Sequence, residues 1–461
     1  MLKIYNSLSK QKEIFKPIVP GKVGIYVCGI TVYDYCHIGH ARTSLSFDVM
    51  IRYLRYRGYE VKSVRNITDI DDKIIFRALE NKEPFEAVTE RFIQAMEEDE
   101  RALNILPYDV VPRATQYIDQ MIRMIQQLLD KGYAYLAANG DVYYDVQKFE
   151  SYGCLSHRVL EDLQAGSRVD INEAKQSPLD FVLWKAAKPG EPEWPSPWGL
   201  GRPGWHTECS AMSLDELGET FDIHGGGADL KFPHHENERA QSEAITGKRF
   251  VNMWIHTGFL QINKEKMSKS LGNFLRIRDF LKNYDGEILR YFTIASHYRS
   301  PVDYSEDSLD AAKSPLERLY TALRGLPIED LLPPSNTEFE QRFQEAMDDD
   351  FNTPVALSVL FDIAREINRI KNSEPEEAQT LGALLKKLGG VLGLLHQDPV
   401  AFLHHIGKAK VDAAMIETLI QQRDEARMAK NWAESDKIRD KLTSLGVILE
   451  DTASGTLWRL G

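Results

Sequence analysis

Several things are missing from this 461-residue chain, and each absence narrows its function. No run of about 18 apolar residues occurs, so no membrane-spanning helix is predicted. The first residues, MLKIYNSLSKQKEIF, mix charge with apolar residues too early for a signal peptide. Cysteine is scarce: Cys28, Cys36, Cys154 and Cys209 form no C-x-x-C pair and no small-domain disulfide framework. That predicts a reducing cytoplasm with free or metal-bound thiols. No GK[ST] occurs, which removes a Walker A loop. The one literal G-x-G-x-x-G match, Gly199 to Gly204, follows a proline run and places Pro203 where a helix should begin, so it is no dinucleotide fingerprint. Internal repeats and low-complexity tracts are also missing. Positive charge is in deficit, with 56 Lys and Arg against 69 Asp and Glu for a net −13. This argues against a generic nucleic-acid coat protein but leaves room for a local basic surface, because screening confines charge effects to about 8 Å.

What is present is ordinary globular composition, 43% hydrophobic and 27% charged, at a length suggesting about three domains. Residues 24–29, GIYVCG, read as a buried strand ending at glycine. The segment from Ile30 enters a long helix in which Leu45, Val49, Arg52, Tyr53 and Tyr56 keep helical spacing until Gly58. VKSVRNITDID is a second strand, which completes a βαβ unit and predicts an α/β, doubly wound, Rossmann-like parallel sheet. Residues 72–135 read as mostly helical with a break at Pro107 and Pro112, and Asn139-Gly140 marks a hairpin. These patterns predict a catalytic domain over 1–114 and 205–310, interrupted by a connective insertion at 115–204. A helical bundle over 311–396 and a small C-terminal domain over 410–461 follow, the latter a helical hairpin turning near Asn431 and a β-hairpin across Ser454-Gly455.

Three stretches carry chemistry. In FDIHGGGADLKFPHHENE, residues 221–238, an apolar run breaks at Gly225-Gly226-Gly227, where a tight turn would let a ligand lie against backbone. Pro233 then opens a helix on which His234 and Glu238, four apart, share a face while His235 and Glu236 point elsewhere. Such a pair is a half-set of metal ligands or a solvated ion pair. The second stretch is His37-Ile38-Gly39-His40 between a strand and a helix. A helix start offers unpaired N–H groups to phosphate, two imidazoles can donate to phosphoryl oxygens, and Gly39 lets a nucleotide lie close. The alternatives are an inert surface loop, or Cys36 and His40 as a metal pair. The third is Lys266-Met267-Ser268-Lys269-Ser270 ahead of Leu271-Gly272-Asn273. It is either a mobile cationic clamp for a triphosphate or a solvated basic turn.

The pairing of HIGH with KMSKS resembles the class I aminoacyl-tRNA synthetases. CGITVYD at 28–34, RNITDIDDK at 65–73, GWHTECS at 204–210 and the opening stretch sharpen that resemblance to the cysteinyl-tRNA synthetases, over the whole chain. The resemblance implies activation of cysteine with ATP to cysteinyl-adenylate and transfer to the terminal ribose of tRNA(Cys). His37, His40, Lys266 and Lys269 are the implied catalytic residues, with Gly39 and Ser268 completing the ATP site. It implies one zinc ion on Cys28, Cys209, His234 and Glu238, selecting the substrate thiol, and Mg²⁺ with ATP. Thiolate preference by zinc separates cysteine from serine, which a hydrophobic pocket would do poorly. Thr68, Trp205, His224 and Asp229 are implied to line the cysteine pocket beside Cys28, with Asp229 near the ammonium; His206 and His256 receive no role.

In the C-terminal domain Arg423, Arg427 and Lys430 form a stripe spaced four then three, near Trp432 and Asp436. The resemblance makes Arg423, Arg427, Trp432 and Asp436 anticodon contacts, with charge meeting phosphate and the indole stacking on a base. It also implies a monomer. Two rivals stand beside this: a cysteine ligase acting on an amino-sugar acceptor, which resembles the synthetase without the anticodon region, and a zinc-stabilised RNA-binding module without catalysis.

Overall fold

The computed structural model describes residues 1–158, 174–262, 265–266, 274–329, 331–406, 413–452 and 455–460. They form two compact units: Met1–Arg276 with His297–Asp303 and Met347–Asn352, and Ile277–Ser296 with Tyr304–Ala346 and Thr353–Gly461.

The first unit is built on a parallel sheet. Its strands are β3 (Lys22–Thr31), β4 (Glu60–Thr68), β9 (Phe221–Gly227) and β10 (Val251–Thr257), in the order β10-β9-β3-β4. A hairpin of β1 (Lys3–Asn6) and β2 (Gln11–Ile14) precedes it. Strands covered on both faces need apolar residues at successive positions, and Ile25, Tyr26, Val27 and Cys28 of β3 are all buried. The βαβ unit read from the sequence is present, with α1 (Ile38–Tyr56) joining β3 to β4. Pairing of β3 with β4 slips between Val27 and Ile30, so Cys28 and Gly29 sit on an irregularity at the carboxyl end of the sheet. Gly29 is required there: a Cβ would stand 1.6 Å from the Asn66 carbonyl oxygen.

Residues 134–203 form an antiparallel sheet, β5 (Ala134–Leu136), β6 (Val142–Tyr144), β7 (Phe181–Ala186) and β8 (Gly201–Pro203), paired in that order. Asn139-Gly140 turns the β5–β6 hairpin, with Gly140 at φ 85°. The rejected glycine match lies in β8 and its approach, with Gly201 against Trp184; Gly204 caps the helix that begins at Trp205, but the strand before it is antiparallel and not part of a βαβ unit. Helices α2 (Asp72–Asn81), α3 (Phe85–Ala102) and α4 (Ile118–Asp130) lie between the two sheets in sequence, and α5 (Trp205–Leu217) follows β8. WHTECSAM, read only as a segment, is the start of α5.

The expected turn at Gly225–Gly227 is not there: the glycines continue strand β9. Packing is the reason. A Cβ at Gly225 would meet the Phe47 ring of α1 at 2.1 Å, and one at Gly226 would meet Leu230 and His235 at 2.9 and 3.0 Å. The glycines let neighbouring side chains approach the sheet. The helix expected from Pro233 is also modified. Phe232 is extended (φ −145°, ψ 129°), Lys231–His235 is a wide turn, and regular helix α6 runs Glu236–Thr246.

The second unit is helical, including Gly286–Ile294, Glu306–Leu323, Thr353–Ile370 and Pro375–Val391. Buried Glu287 accepts from Leu395 N and Tyr320 Oη, both at 2.7 Å, and burial raises its pKa to about 7. At the C-terminus, helices Ala413–Met428 and Trp432–Ser444 pack on the antiparallel strands Val447–Thr452 and Gly455–Leu460. Ile416, Leu419, Ile420, Ile438, Leu442 and Trp458 form their core. Lys430 leaves the expected stripe because the helix ends at Met428 and Lys430 takes a left-handed conformation, φ 57°.

Candidate metal centre and active-site cleft

Four donors from four elements converge beneath the carboxyl end of the parallel sheet. Cys28 ends the regular part of β3, Cys209 lies in α5, His234 in the wide turn and Glu238 in the first turn of α6. All four are buried, and their ligand atoms lie within 4.8 Å of one another. Cys28 Sγ is 3.6 Å from Cys209 Sγ and 3.2 Å from Glu238 Oε1, while His234 Nε2 is 3.2 Å from Glu238 Oε1. The sulfur separation is far beyond a disulfide bond of about 2.05 Å. It matches the edge of about 3.8 Å expected for two thiolates on a tetrahedral ion at about 2.3 Å. A set of two thiols, an imidazole and a carboxylate suits a metal site.

Burial pushes both thiols up, because a thiolate there has no water to solvate it. The same burial pushes His234 well down, so the ring is neutral, as a ligand must be. His206, left without a role by the sequence, explains its orientation. His206 Nδ1 lies 3.0 Å from His234 Nδ1, and burial lowers the His206 pKa to about 3. When His234 donates its Nδ1–H to His206 Nδ1, the neutral His234 ring leaves Nε2 bare toward the cluster. His224 lies on the far side of Glu238, with Nε2 at 2.7 Å from Glu238 Oε2. His235, expected to point elsewhere, also faces inward. Its Nε2 is 3.9 Å from Glu238 Oε1, and its Nδ1 is 2.9 Å from His256 Nε2. Cys28, His224, His235 and Glu238 form a second donor group that shares two members with the first. Glu236 does turn away, accepting from Ser156 N at 2.7 Å. A signal for His206 and His256 was available: one begins a helix just after Gly204, the other ends a sheet strand.

Above this cluster opens a cleft of about 360 Å³ whose lining includes Cys28, His37, Gly39, His40, Trp205 and Asp229. Trp205 is 39% exposed, and its ring centre lies 4.2 Å from that of His234, so it walls the cleft rather than filling a core. Two expected pocket residues do not line it. Thr68 is buried and donates to Glu208 Oε2 at 2.9 Å, tying β4 to α5. His224 is wholly buried behind Glu238. Thr68 Oγ1 and His224 Nε2 each reach a buried carboxylate, whereas His224 Nδ1 has no hydrogen-bond partner among the described residues.

At the mouth, His37 caps α1. Its Nδ1 accepts from Gly39 N and His40 N at 3.1 and 3.3 Å, and His40 Nδ1 accepts from His37 N at 3.3 Å. The two rings stack with centres 3.7 Å apart. Acceptance at both Nδ1 atoms keeps the ring protons on Nε2. The amides expected to meet phosphate are therefore already used, Ile38 N by Leu275 O at 3.0 Å. Cys36 belongs to no donor group among the described residues, which leaves the Cys36–His40 metal pair without support. Residues 274–276 return beside His37, with a strand-like bridge between His37 and Arg276. This anchors the chain just after the lysine stretch at the start of α1. Ser268 and Lys269 lie outside the described residues, and Lys266 is described only as backbone in strand Glu265–Lys266.

The basic stripe of the C-terminal hairpin is largely neutralised. Arg423 is buried and grips Asp451 with both Nη atoms at 2.9 Å, and Arg427 Nη1 adds a 2.8 Å contact to the same carboxylate. Arg423 is therefore a tie between helix and strand, not an open phosphate contact. Trp432 is 60% exposed, and Asp436 pairs with Arg439 at 3.2 Å.

Comparison with known proteins agrees along the whole chain. The class I (C) tRNA synthetase catalytic domain family matches residues 14–314, the DALR domain family residues 342–396, and the cysteinyl-tRNA ligase anticodon binding domain family residues 413–459. The cysteine–tRNA ligase of Pseudomonas aeruginosa (strain UCBPP-PA14) is 61% identical over 460 residues, covering 100% of each chain. That of Thioalkalivibrio sulfidiphilus (strain HL-EbGR7) is 60% identical over 462 residues with the same coverage. In fold, the chain resembles Mycobacterium tuberculosis methionyl-tRNA synthetase in complex with methionyl-adenylate, with a TM-score of 0.57 at 14% identity over 80% of this chain and 89% of that one.

Proposed function

The chain belongs to the cysteine–tRNA ligases, class I synthetases that join cysteine to tRNA at the expense of ATP, and on that premise we propose how its residues divide the reaction. The carrying observation is the buried Cys28–Cys209–His234–Glu238 cluster, whose sulfur and nitrogen edges suit one tetrahedral ion and which floors the cleft. These four residues would hold zinc, which supplies a soft Lewis-acid position that prefers a thiolate to a serine hydroxyl. Cys28 belongs both to this set and to the cleft lining, so a cysteine side chain entering the cleft is led to the cluster.

The remaining roles belong to the protein. Asp229 on the cleft wall takes the substrate ammonium, and Trp205 closes the pocket against water. The cysteine carboxylate attacks the α-phosphorus of MgATP and pyrophosphate leaves; the terminal ribose hydroxyl of tRNA then attacks the adenylate carbonyl, forming the ester and expelling AMP as the hydroxyl gives up its proton. His37 and His40 meet the phosphates at the start of α1, Lys266 and Lys269 neutralise charge as pyrophosphate departs, and Ser268 offers its hydroxyl as a hydrogen-bond donor. Gly39 keeps the nucleotide side of α1 open. Trp432, with Arg427 and Asp436, meets the anticodon. We further propose a monomer working in the cytoplasm; no helix among the described residues is long and apolar enough to cross a membrane.

The test is charging of unfractionated tRNA with labelled cysteine, with serine as control and the metal content measured on the same sample. Cysteine-only charging at one zinc per chain is the expected result. Equal charging with serine would remove the thiol-selecting role of the cluster.

A further inference from the structure

Tyr26 lies in β3, paired across the sheet with His224 of β9, and is wholly buried. Its hydroxyl makes no hydrogen bond of ordinary geometry among the described residues, and the ring shares one buried cluster with Cys28 and Cys209. A hydroxyl stripped of water without a partner weakens a fold, and phenylalanine would fill the same space without that penalty. Some other state of the molecule must therefore use it.

The surroundings of the Cys209 sulfur indicate which state. Cys28 Sγ is 3.6 Å away and Asn66 Oδ1 3.5 Å. Asn66 Oδ1 also accepts from Gly29 N at 2.8 Å, which fixes the amide with its oxygen toward the cluster. While Cys209 carries its proton, the S–H has an acceptor in that oxygen. Once the proton leaves, a carbonyl oxygen beside a thiolate is repulsive. The Tyr26 O–H is then the side-chain donor positioned to serve the sulfur among the described residues. Charge counting makes the same demand: two thiolates and the Glu238 carboxylate exceed a divalent ion by one negative charge in a buried site. His224 Nε2 relieves Glu238 at 2.7 Å, and the sulfur side needs a counterpart.

We propose that Tyr26 is a positioning residue of the metal centre, its hydroxyl donating to the Cys209 thiolate formed when a divalent ion displaces the two thiol protons to solvent. This rests on the reading of the four-residue cluster as a metal site. The hydroxyl is thus a burden on the metal-free protein and an asset to the loaded one, so its removal has opposite effects on the two states.

The experiment compares the full-length protein with Tyr26→Phe, each stripped of metal by chelation. Thermal unfolding of the metal-free forms, zinc affinity by chelator competition and the near-ultraviolet thiolate-to-cobalt band on Co²⁺ titration are measured. In Y26F we expect an unchanged or raised unfolding temperature, zinc affinity lower by roughly tenfold to a hundredfold, and a cobalt band moved to longer wavelength. Unchanged affinity and spectrum overturn the assignment. A lowered metal-free unfolding temperature overturns it too, by making the hydroxyl a structural support. A thiolate–cobalt band missing in the unsubstituted protein overturns the metal reading itself, and this inference with it.

Discussion

The floor of the cleft and the C-terminal hairpin begin from the same sequence device and end differently. Each presents two functional residues four apart on a helical face: His234 and Glu238 in one, Arg423 and Arg427 in the other. At the cleft, the face turns inward and meets two sulfurs delivered by β3 and α5, so four donor groups converge on one buried point and suit an ion. In the hairpin, the face meets Asp451 from the adjacent strand, which takes up both guanidinium groups. Spacing decides which residues share a face. What the neighbouring element brings decides whether that face is a site or a clasp.

That contrast can be broken or sharpened by measurement. The largest effect belongs to the cleft: His234→Ala should lose stoichiometric zinc and lower kcat/KM for cysteine-dependent pyrophosphate exchange roughly a thousandfold, about 4 kcal/mol at 1.36 kcal/mol per decade. Retained zinc with near-normal exchange would show that the second group, through His224 and His235, supplies the site. Lys269→Ala should abolish most adenylate formation while tRNA affinity changes little, checked by pyrophosphate exchange beside filter binding.

The pH dependence of metal binding comes next. Burial raises both thiols, so the metal-free site holds two protons that the ion must displace, and affinity falls as pH falls. Below the thiol pKa values the slope approaches a hundredfold per pH unit for two protons, or about tenfold for one. Chelator competition at several pH values reads it directly, and a flat profile would contradict thiol ligation.

On the hairpin, Trp432→Ala should raise the KM for tRNA by roughly tenfold to a hundredfold, the range for losing one stacked base, with pyrophosphate exchange untouched. Arg423→Ala should act on stability instead, costing about 1–3 kcal/mol of charged hydrogen bonding in thermal unfolding. Charging at a temperature where the variant stays folded should change far less than for Trp432→Ala. A tRNA defect in Arg423→Ala as large as that of Trp432→Ala would restore Arg423 as a direct contact.

Much of this arrangement can be read from the chain alone, for local reasons. The βαβ unit follows from a buried apolar run, a helical repeat closed by Gly58 and a second run, all within neighbouring residues. The four-residue spacing alone brings His234 near Glu238, although a wide turn rather than regular helix carries His234, and Asn139-Gly140 needs only its own backbone preference. The readings that failed depend on distant partners. Gly225–Gly227 looked like a turn because three glycines permit one, but the Phe47 ring and His235 require them inside a strand. Thr68 and His224, read as pocket residues, are buried beside Glu208 and Glu238, and no pattern in the chain announces those two contacts. No periodicity in the sequence shows that Asp451 will lie against Arg423, or that His206 will set the proton on His234.

The amino-acid sequence by itself determined the elements, the reactive residue types and the family, because these rest on local propensity and on motifs carried within short stretches. Only the tertiary structure decided which reactive groups face one another, which are spent on neighbours and which remain open to a ligand. Those outcomes depend on contacts between residues far apart in the chain, such as Cys28 and Glu238, and on the burial that removes water from around them.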